Sequence, residues 1–121
     1  MTETRGQLPE VTAQEQLVAA YIHNEQSLLA QVGLPLTKQA IEDQERILSE
    51  VSEASIFSAF SVDGGKKAEM RQIALKASED FWMEKLTDPN LSANAVAFGQ
   101  NRKAEITQRL EELAKPPENP T

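Results

Sequence analysis

Apolar side chains recur every three to four residues along most of the chain, and Gly, Pro and Asn divide that rhythm into four helical segments. The first opens at Thr12-Ala-Gln-Glu15. A Thr N-cap and a Glu three residues later can each satisfy a backbone N–H of the first turn. Leu17, Val18, Tyr21, Leu28, Leu29 and Val32 then share one helical face, Gly33 offers a left-handed C-cap, and Pro35 forbids continuation. The second segment runs from about Leu36 to Phe60, with Ala40/Ile41, Gln44, Ile47/Leu48, Val51, Ala54/Ser55 and Ser58 in a narrow stripe close to a heptad seam. Its other side carries Glu42, Asp43, Glu45, Arg46, Glu50 and Glu53. Ile56, Phe57 and Phe60 spread around the axis, so that end is either covered by another element or frayed.

Val62-Asp-Gly-Gly65 breaks the pattern, and its two glycines supply the positive φ of a tight reversal. A third helix follows from about Lys66 to Leu86, with Met70, Ile73, Ala74, Ala77 and Phe81 inward, until Asp88-Pro-Asn90 stops it. Ser92 or Asn90 caps a fourth helix, Ala93 to Ala114, whose apolar register is Val96, Ile106, Leu110 and Leu113. Helices two and three each span roughly 30 Å at ~1.5 Å per residue, and the short Gly-rich link makes them antiparallel neighbours. The expected fold is all-α, a long antiparallel helical hairpin with flanking helices packed as a small three- or four-helix bundle or coiled coil. One helical domain is expected over 12–115, between a flexible tail at 1–11 and a Pro-rich tail at 116–121.

Composition narrows the chemistry. The 121 residues include no Cys and one His, which removes disulfides, thiol nucleophiles and cysteine-based metal sites. Fifteen of the apolar residues are alanine, so the seams are narrow and suited to close helix pairing. The net charge of −7 argues against general nucleic-acid binding and against docking on anionic membranes. No apolar run is long enough to span a bilayer, and the first residues lack the basic-then-apolar order of a secretory signal. A cytoplasmic protein without metal or cofactor is expected.

Candidate catalytic constellations do not assemble. Carboxylate-bridged metal bundles need Glu-x-x-His on two helices, and the single His23 has Ala20 three residues before it. The stretch from Asp63 through Gly64-Gly65-Lys66-Lys67 lacks the ligand spacing of an EF-hand and the spacing of a phosphate-binding loop. Ser27 follows His23 by one helical turn without an acidic residue to orient the ring. A non-enzymatic protein is expected.

Charge is uneven along the chain. Residues 1–36 and 37–60 each net −3, 61–86 net 0 and 87–121 net −1. Lys66, Lys67, Arg71 and Lys76 open helix three, where they can face the acidic end of helix two, or else form a local phosphate patch at Lys66, Lys67 and Arg71. Phe81 and Trp82 point about 100° apart and cannot share one narrow seam. Trp82 is therefore either covered by helix four or an exposed anchor of the kind that dominates interfaces.

Val62-Asp-Gly-Gly-Lys-Lys-Ala-Glu-Met-Arg71 resembles a short motif of small helical phage and prophage proteins. There an Asp-Gly-Lys-Asn stretch, followed by Ala/Glu and Arg, joins two long paired helices. Asp63, Gly64, Lys66, Ala68, Glu69 and Arg71 match when Gly65 is an insertion, and Lys67 stands where that group has Asn. The resemblance covers about ten residues and implies an accessory role near phage replication and recombination functions, with no catalytic residues.

The leading expectation is a helical interaction protein that binds a protein partner or another copy of itself through Tyr21, Phe57, Phe60 and Trp82. An acidic inhibitor or antitoxin-like protein, presenting Glu42, Asp43, Glu45, Glu50 and Glu53 to a basic site, is the alternative. Direct nucleic-acid binding ranks below both.

Overall fold

The computed structural model describes residues 9–34 and 36–114, with side chains described from residue 13 onward. Within them every regular element is helical: α1 (Pro9–Ala30), α2 (Lys38–Ile47), a π-helical turn (Leu48–Glu53), α3 (Ala54–Ala59), α4 (Gly64–Lys85) and α5 (Ala93–Ala114). Residues 9–11 of the expected N-terminal tail belong to α1, whereas Pro35, the rest of that tail and residues 116–121 lie outside the described residues.

Proline suits the first position of a helix, since its φ is already helical and its missing N–H would have no partner there. With α1 starting at Pro9, Thr12 lies inside the first turn and does not cap it. At the other end the N–H groups of Gln31 and Val32 bond three residues back, to Leu28 and Leu29 at 3.0 and 3.2 Å. This tightening closes the helix, and Gly33 does not adopt the left-handed conformation expected of it.

The second helix begins where Thr37 Oγ1 accepts the Ala40 N–H at 3.0 Å, but it is not one regular helix. The π turn at Leu48–Glu53 inserts an extra residue, which rotates all that follows by about 100°. The expected seam is broken there: Val51 is 58 % exposed, while Glu53 and Phe57 turn inward at 3 % and 5 %. Ile47, ahead of the turn, is also 54 % exposed.

The reversal after α3 does not use glycine. Ser61 alone among the described non-Gly residues has a positive φ, 53°. Val62 N–H bonds to Phe57 O at 3.0 Å and Ser61 N–H to Ser58 O at 3.2 Å, the paired bonds of a Schellman cap, and the buried side chains of Val62 and Phe57 seal it. Gly64 and Gly65 instead form the first turn of α4, capped by Asp63 Oδ1 on the Lys66 N–H at 3.0 Å. The last helix runs as its sequence implies, with Ser92 Oγ accepting the Ala95 N–H at 3.1 Å.

The all-α bundle forms, with a different closest pairing from the long hairpin. The tightest packing is α1 against α4 and α4 against α5, while α2, the π turn and α3 lie along α1. Side-chain contacts set the directions. Tyr21 meets Glu53, which meets Arg71, and further along Glu25 meets Trp82, so α1 and α4 run parallel. The α3–α4 hairpin is held near its turn, by Glu53–Arg71 at 2.9 Å and by Lys67 and Arg71 over the Phe57 ring at 5.7 and 5.4 Å. The core gathers Ala13, Leu17, Tyr21, Phe57, Val62, Met70, Ala74, Leu75, Trp82 and Ile106. On α4 the inward face is Met70, Ala74, Leu75, Ser78 and Trp82, and Ile73, expected inside, is 42 % exposed.

Gly99 lets α5 lie directly on the Trp82 ring. A Cβ at that position would stand 2.9 Å from Trp82 Cε3 and 3.2 Å from Leu86 Cδ2. A rigid, fully buried indole cannot yield cheaply. Gly99→Ala should therefore destabilise the protein by about 1–3 kcal/mol, despite gaining about 1 kcal/mol of helix propensity. Urea unfolding checks this, and an unchanged or raised midpoint would show that the α4–α5 approach is looser than described.

Candidate interaction groove

Two charged residues stand on stripes that should be apolar. Glu25 lies on the α1 stripe with Leu17, Tyr21 and Leu28, and Arg102 lies on the α5 stripe with Ala95, Gly99 and Ile106. Both side chains are 3 % exposed and they meet as a bidentate pair, Arg102 Nε to Glu25 Oε1 and Nη2 to Oε2, each at 2.7 Å. Trp82 Nε1–H from α4 donates to the same Glu25 Oε1 at 2.8 Å. The remaining Arg102 nitrogen, Nη1, pairs with Glu45 of α2 and lies 3.3 Å from Glu105 Oε1. Arg109 Nη2 binds Glu45 Oε1 at 2.8 Å. Residues from α1, α2, α4 and α5 thus converge on one ionic centre.

Burial would lower the Arg102 pKa, but the hydrogen bonds and charge of Glu25, with Glu45 behind, raise it well above the ordinary value. Burial pushes the Glu45 carboxyl up, and this is outweighed by the Arg109 hydrogen bond and by the charges of Arg102 and Arg109, which hold it below the usual range. Smaller polar links repeat the theme. Tyr21 Oη donates to Glu53 Oε2 at 2.7 Å, and burial followed by that bond raises the Tyr21 pKa. Thr107 Oγ1 donates to Glu79, which also takes Lys76 Nζ at 2.9 Å, so the Glu79 pKa is lowered.

Over this centre, α2 and α5 do not pack on each other. They bound an open groove of about 610 Å³, lined on the α2 side by Lys38, Ile41, Glu42 and Glu45. The α5 side presents Phe98, Asn101, Arg102, Glu105, Gln108, Arg109 and Glu112. A smaller cleft of about 290 Å³, with Val32, Leu34 and Leu36 in its walls, adjoins it through the shared Ile41 and Phe98. No residue of α2 is buried, so this helix is fixed to the body by ion pairs and by partial contact with α1 rather than by a core.

The residues expected to contact a partner are mostly interior. Trp82 is fully buried, Tyr21 and Phe57 are 8 % and 5 % exposed, and Phe60 is half-buried against the core. They fill the spaces between helices, so Trp82 resolves to the covered alternative and is no surface anchor. The expected acidic face is divided as well. Glu42 and Glu50 are exposed, Asp43 is tied to Arg46 at 2.7 Å, Glu45 joins the ionic centre and Glu53 is buried. Of the expected phosphate patch, Arg71 is engaged by Glu53, Lys67 lies over Phe57, and Lys66 lies 3.9 Å from Glu69. His23 is exposed, and among the described residues no group of His, Cys, Asp or Glu is placed to hold a metal ion. Among the described residues no helix is long and apolar enough to cross a membrane. Glu25 and Arg102, which the periodicity treats as ordinary charges, were detectable as charges interrupting otherwise apolar stripes.

Comparison of the chain with protein-family models, with curated proteins and with solved structures gives no match.

Since Glu45 and Glu79 have lowered folded pKa values, the unfolded chain binds their protons first as pH falls. The stabilisation they give is complete above the ordinary carboxylate value of about 4.5 and is lost progressively below it. Urea midpoints should be level from neutral pH down to about 5 and fall steeply beneath. Glu79→Gln should lower the neutral-pH midpoint and flatten the acid limb. An acid limb unchanged by that substitution would contradict the role given to Glu79.

Proposed function

We propose that this is a non-enzymatic helical interaction protein that receives a segment of a partner protein in the groove between α2 and α5. One observation carries the reading: two helices bound an open groove lined by exposed charged and half-buried apolar side chains, while the ionic centre beneath keeps both walls in place. Concave, pre-formed sites of this size are where proteins hold ligands and peptide segments. The resemblance of residues 62–71 to phage and prophage proteins supports an accessory role, and the cysteine-free, acidic composition supports action in the cytoplasm without a cysteine-based metal site or cofactor.

The alternative, an acidic inhibitor or antitoxin-like protein covering a basic site, draws on the net charge of −7 and on the carboxylates along the groove. It loses its continuous acidic face to the burial of Glu53 and the pairing of Glu45. Nucleic-acid binding ranks third, because Arg71 is neutralised by Glu53.

A photo-crosslinking residue at Asn101, in the groove, compared with one at Ile73, an exposed position on α4, tests the reading in cells of the native host. The expected result is a defined adduct from Asn101 that is absent from Ile73. Adducts of equal yield and identity from both positions, or none from either, would overturn it.

A further inference from the structure

The inference here rests on the reading above and names what the groove holds. Positions 94, 98, 101, 105, 108 and 112 of α5 alternate in steps of four and three, the spacing of a helix seam that faces another helix. Those residues are Asn94, Phe98, Asn101, Glu105, Gln108 and Glu112, and all six line the main groove or its adjoining cleft. The seam is separate from the one α5 uses for the core, Ala95, Gly99, Arg102 and Ile106, which lies one position round the helix. This helix therefore carries two stripes, and of the second the core engages only Phe98, whose ring lies edge-on to Trp82. From Asn94 to Glu112 the second stripe is ~27 Å long, the length of a five-turn helix.

Its chemistry selects the occupant. Apart from Phe98 the stripe is polar or acidic, so a Leu-rich helix would bury those groups without partners, at a cost. Arg102 and Arg109 are already engaged by Glu25 and Glu45, so three carboxylates, Glu42, Glu112 and Glu105 (3.3 Å from Arg102), outnumber the one further cation of the lining, Lys38, and set the sign of the rim. Apolar contact concentrates at one end, where Ile41 and Phe98 join Val32, Leu34 and Leu36, with Leu34 66 % exposed. A second copy of the chain would bring the same carboxylates and the same net charge of −7, and is disfavoured by repulsion.

We infer that the groove takes a basic amphipathic helix of a partner protein, with an apolar residue seated at the Ile41–Phe98 end and Lys or Arg side chains along Glu42, Glu105 and Glu112. Lys38 and Ile47 are nine residues apart, two and a half turns, so Ile47 faces away from the groove and takes no part.

The probe is a designed helix of about 18 residues with Leu at one end of its contact face and Lys along the rest. Its counterpart has every Lys replaced by Glu. Fluorescence anisotropy with the full chain at physiological salt gives both affinities. The Lys peptide should bind at least about tenfold more tightly than the Glu peptide. Glu105→Lys with Glu112→Lys should reverse that preference, with the circular dichroism spectrum unchanged. Glu50→Lys with Glu84→Lys makes the same change in net charge at exposed positions outside the groove, and should alter affinity by less than about threefold. Ile47→Ser should leave binding unchanged. Equal affinity for the two peptides, or equal loss in the two charge-changed variants, would overturn the inference. A groove-specific adduct from Asn101 that maps to an acidic or non-helical segment would overturn it too, while leaving the interaction reading intact.

Discussion

The Glu25–Arg102 pair is the constraint on which the rest of this bundle depends. α1 and α5 scarcely approach each other as backbones, since each packs on α4. Their connection is instead a bidentate charge pair reached across the interior, and the Trp82 indole of α4 bonds to the same carboxylate. Two ions taken out of water lose solvation worth several kcal/mol each, and attraction offsets that only with near-ideal geometry and further hydrogen bonds. Here both guanidinium contacts are 2.7 Å and the carboxylate accepts a third bond. Specification is the principal effect, because other rotations or registers of α5 would leave a buried charge without a partner. Gly99 complements this by letting α5 come close enough to Trp82 for Arg102 to reach.

The groove is a consequence of the same arrangement. Because α1 and α4 form the close central pair, α2 lies along α1 and α5 lies along α4, and the two outer helices stand apart. Arg102 and Arg109 hold α2 at that distance through Glu45. The core takes one stripe of α5 and, apart from Phe98, leaves its second stripe facing the gap. An arrangement with all helices equally close would have closed the groove and covered Phe98 and Ile41.

Helix identity was legible in the sequence, and so was part of the punctuation. The stop at Asp88-Pro89-Asn90, the Ser92 cap and the extent of α5 follow from local backbone chemistry, which a few neighbouring residues determine. Facing was less legible. The π turn at Leu48–Glu53 has no distinctive residue pattern, and a single extra residue within it put Val51 outward and Glu53 inward. The sequence points to Gly64 and Gly65 for the positive φ that Ser61 adopts, because glycine is favoured at such a position but not required. Three-to-four-residue spacing does not state which helix lies opposite, so from sequence the aromatics suit an interaction surface as well as a core. The structure supplies the missing neighbour in each case, and places Tyr21, Phe57 and Trp82 in the core.

A double-mutant cycle on the buried pair tests the central claim most directly. Glu25→Gln and Arg102→Met should each cost about 3–5 kcal/mol in urea unfolding, since each leaves the other charge buried with an incomplete set of partners. The double variant should cost less than the sum of the two by at least about 2 kcal/mol, the signature of groups in direct contact. Additivity within about 0.5 kcal/mol, or single variants as stable as the parent, would contradict the claim that this pair joins α1 to α5.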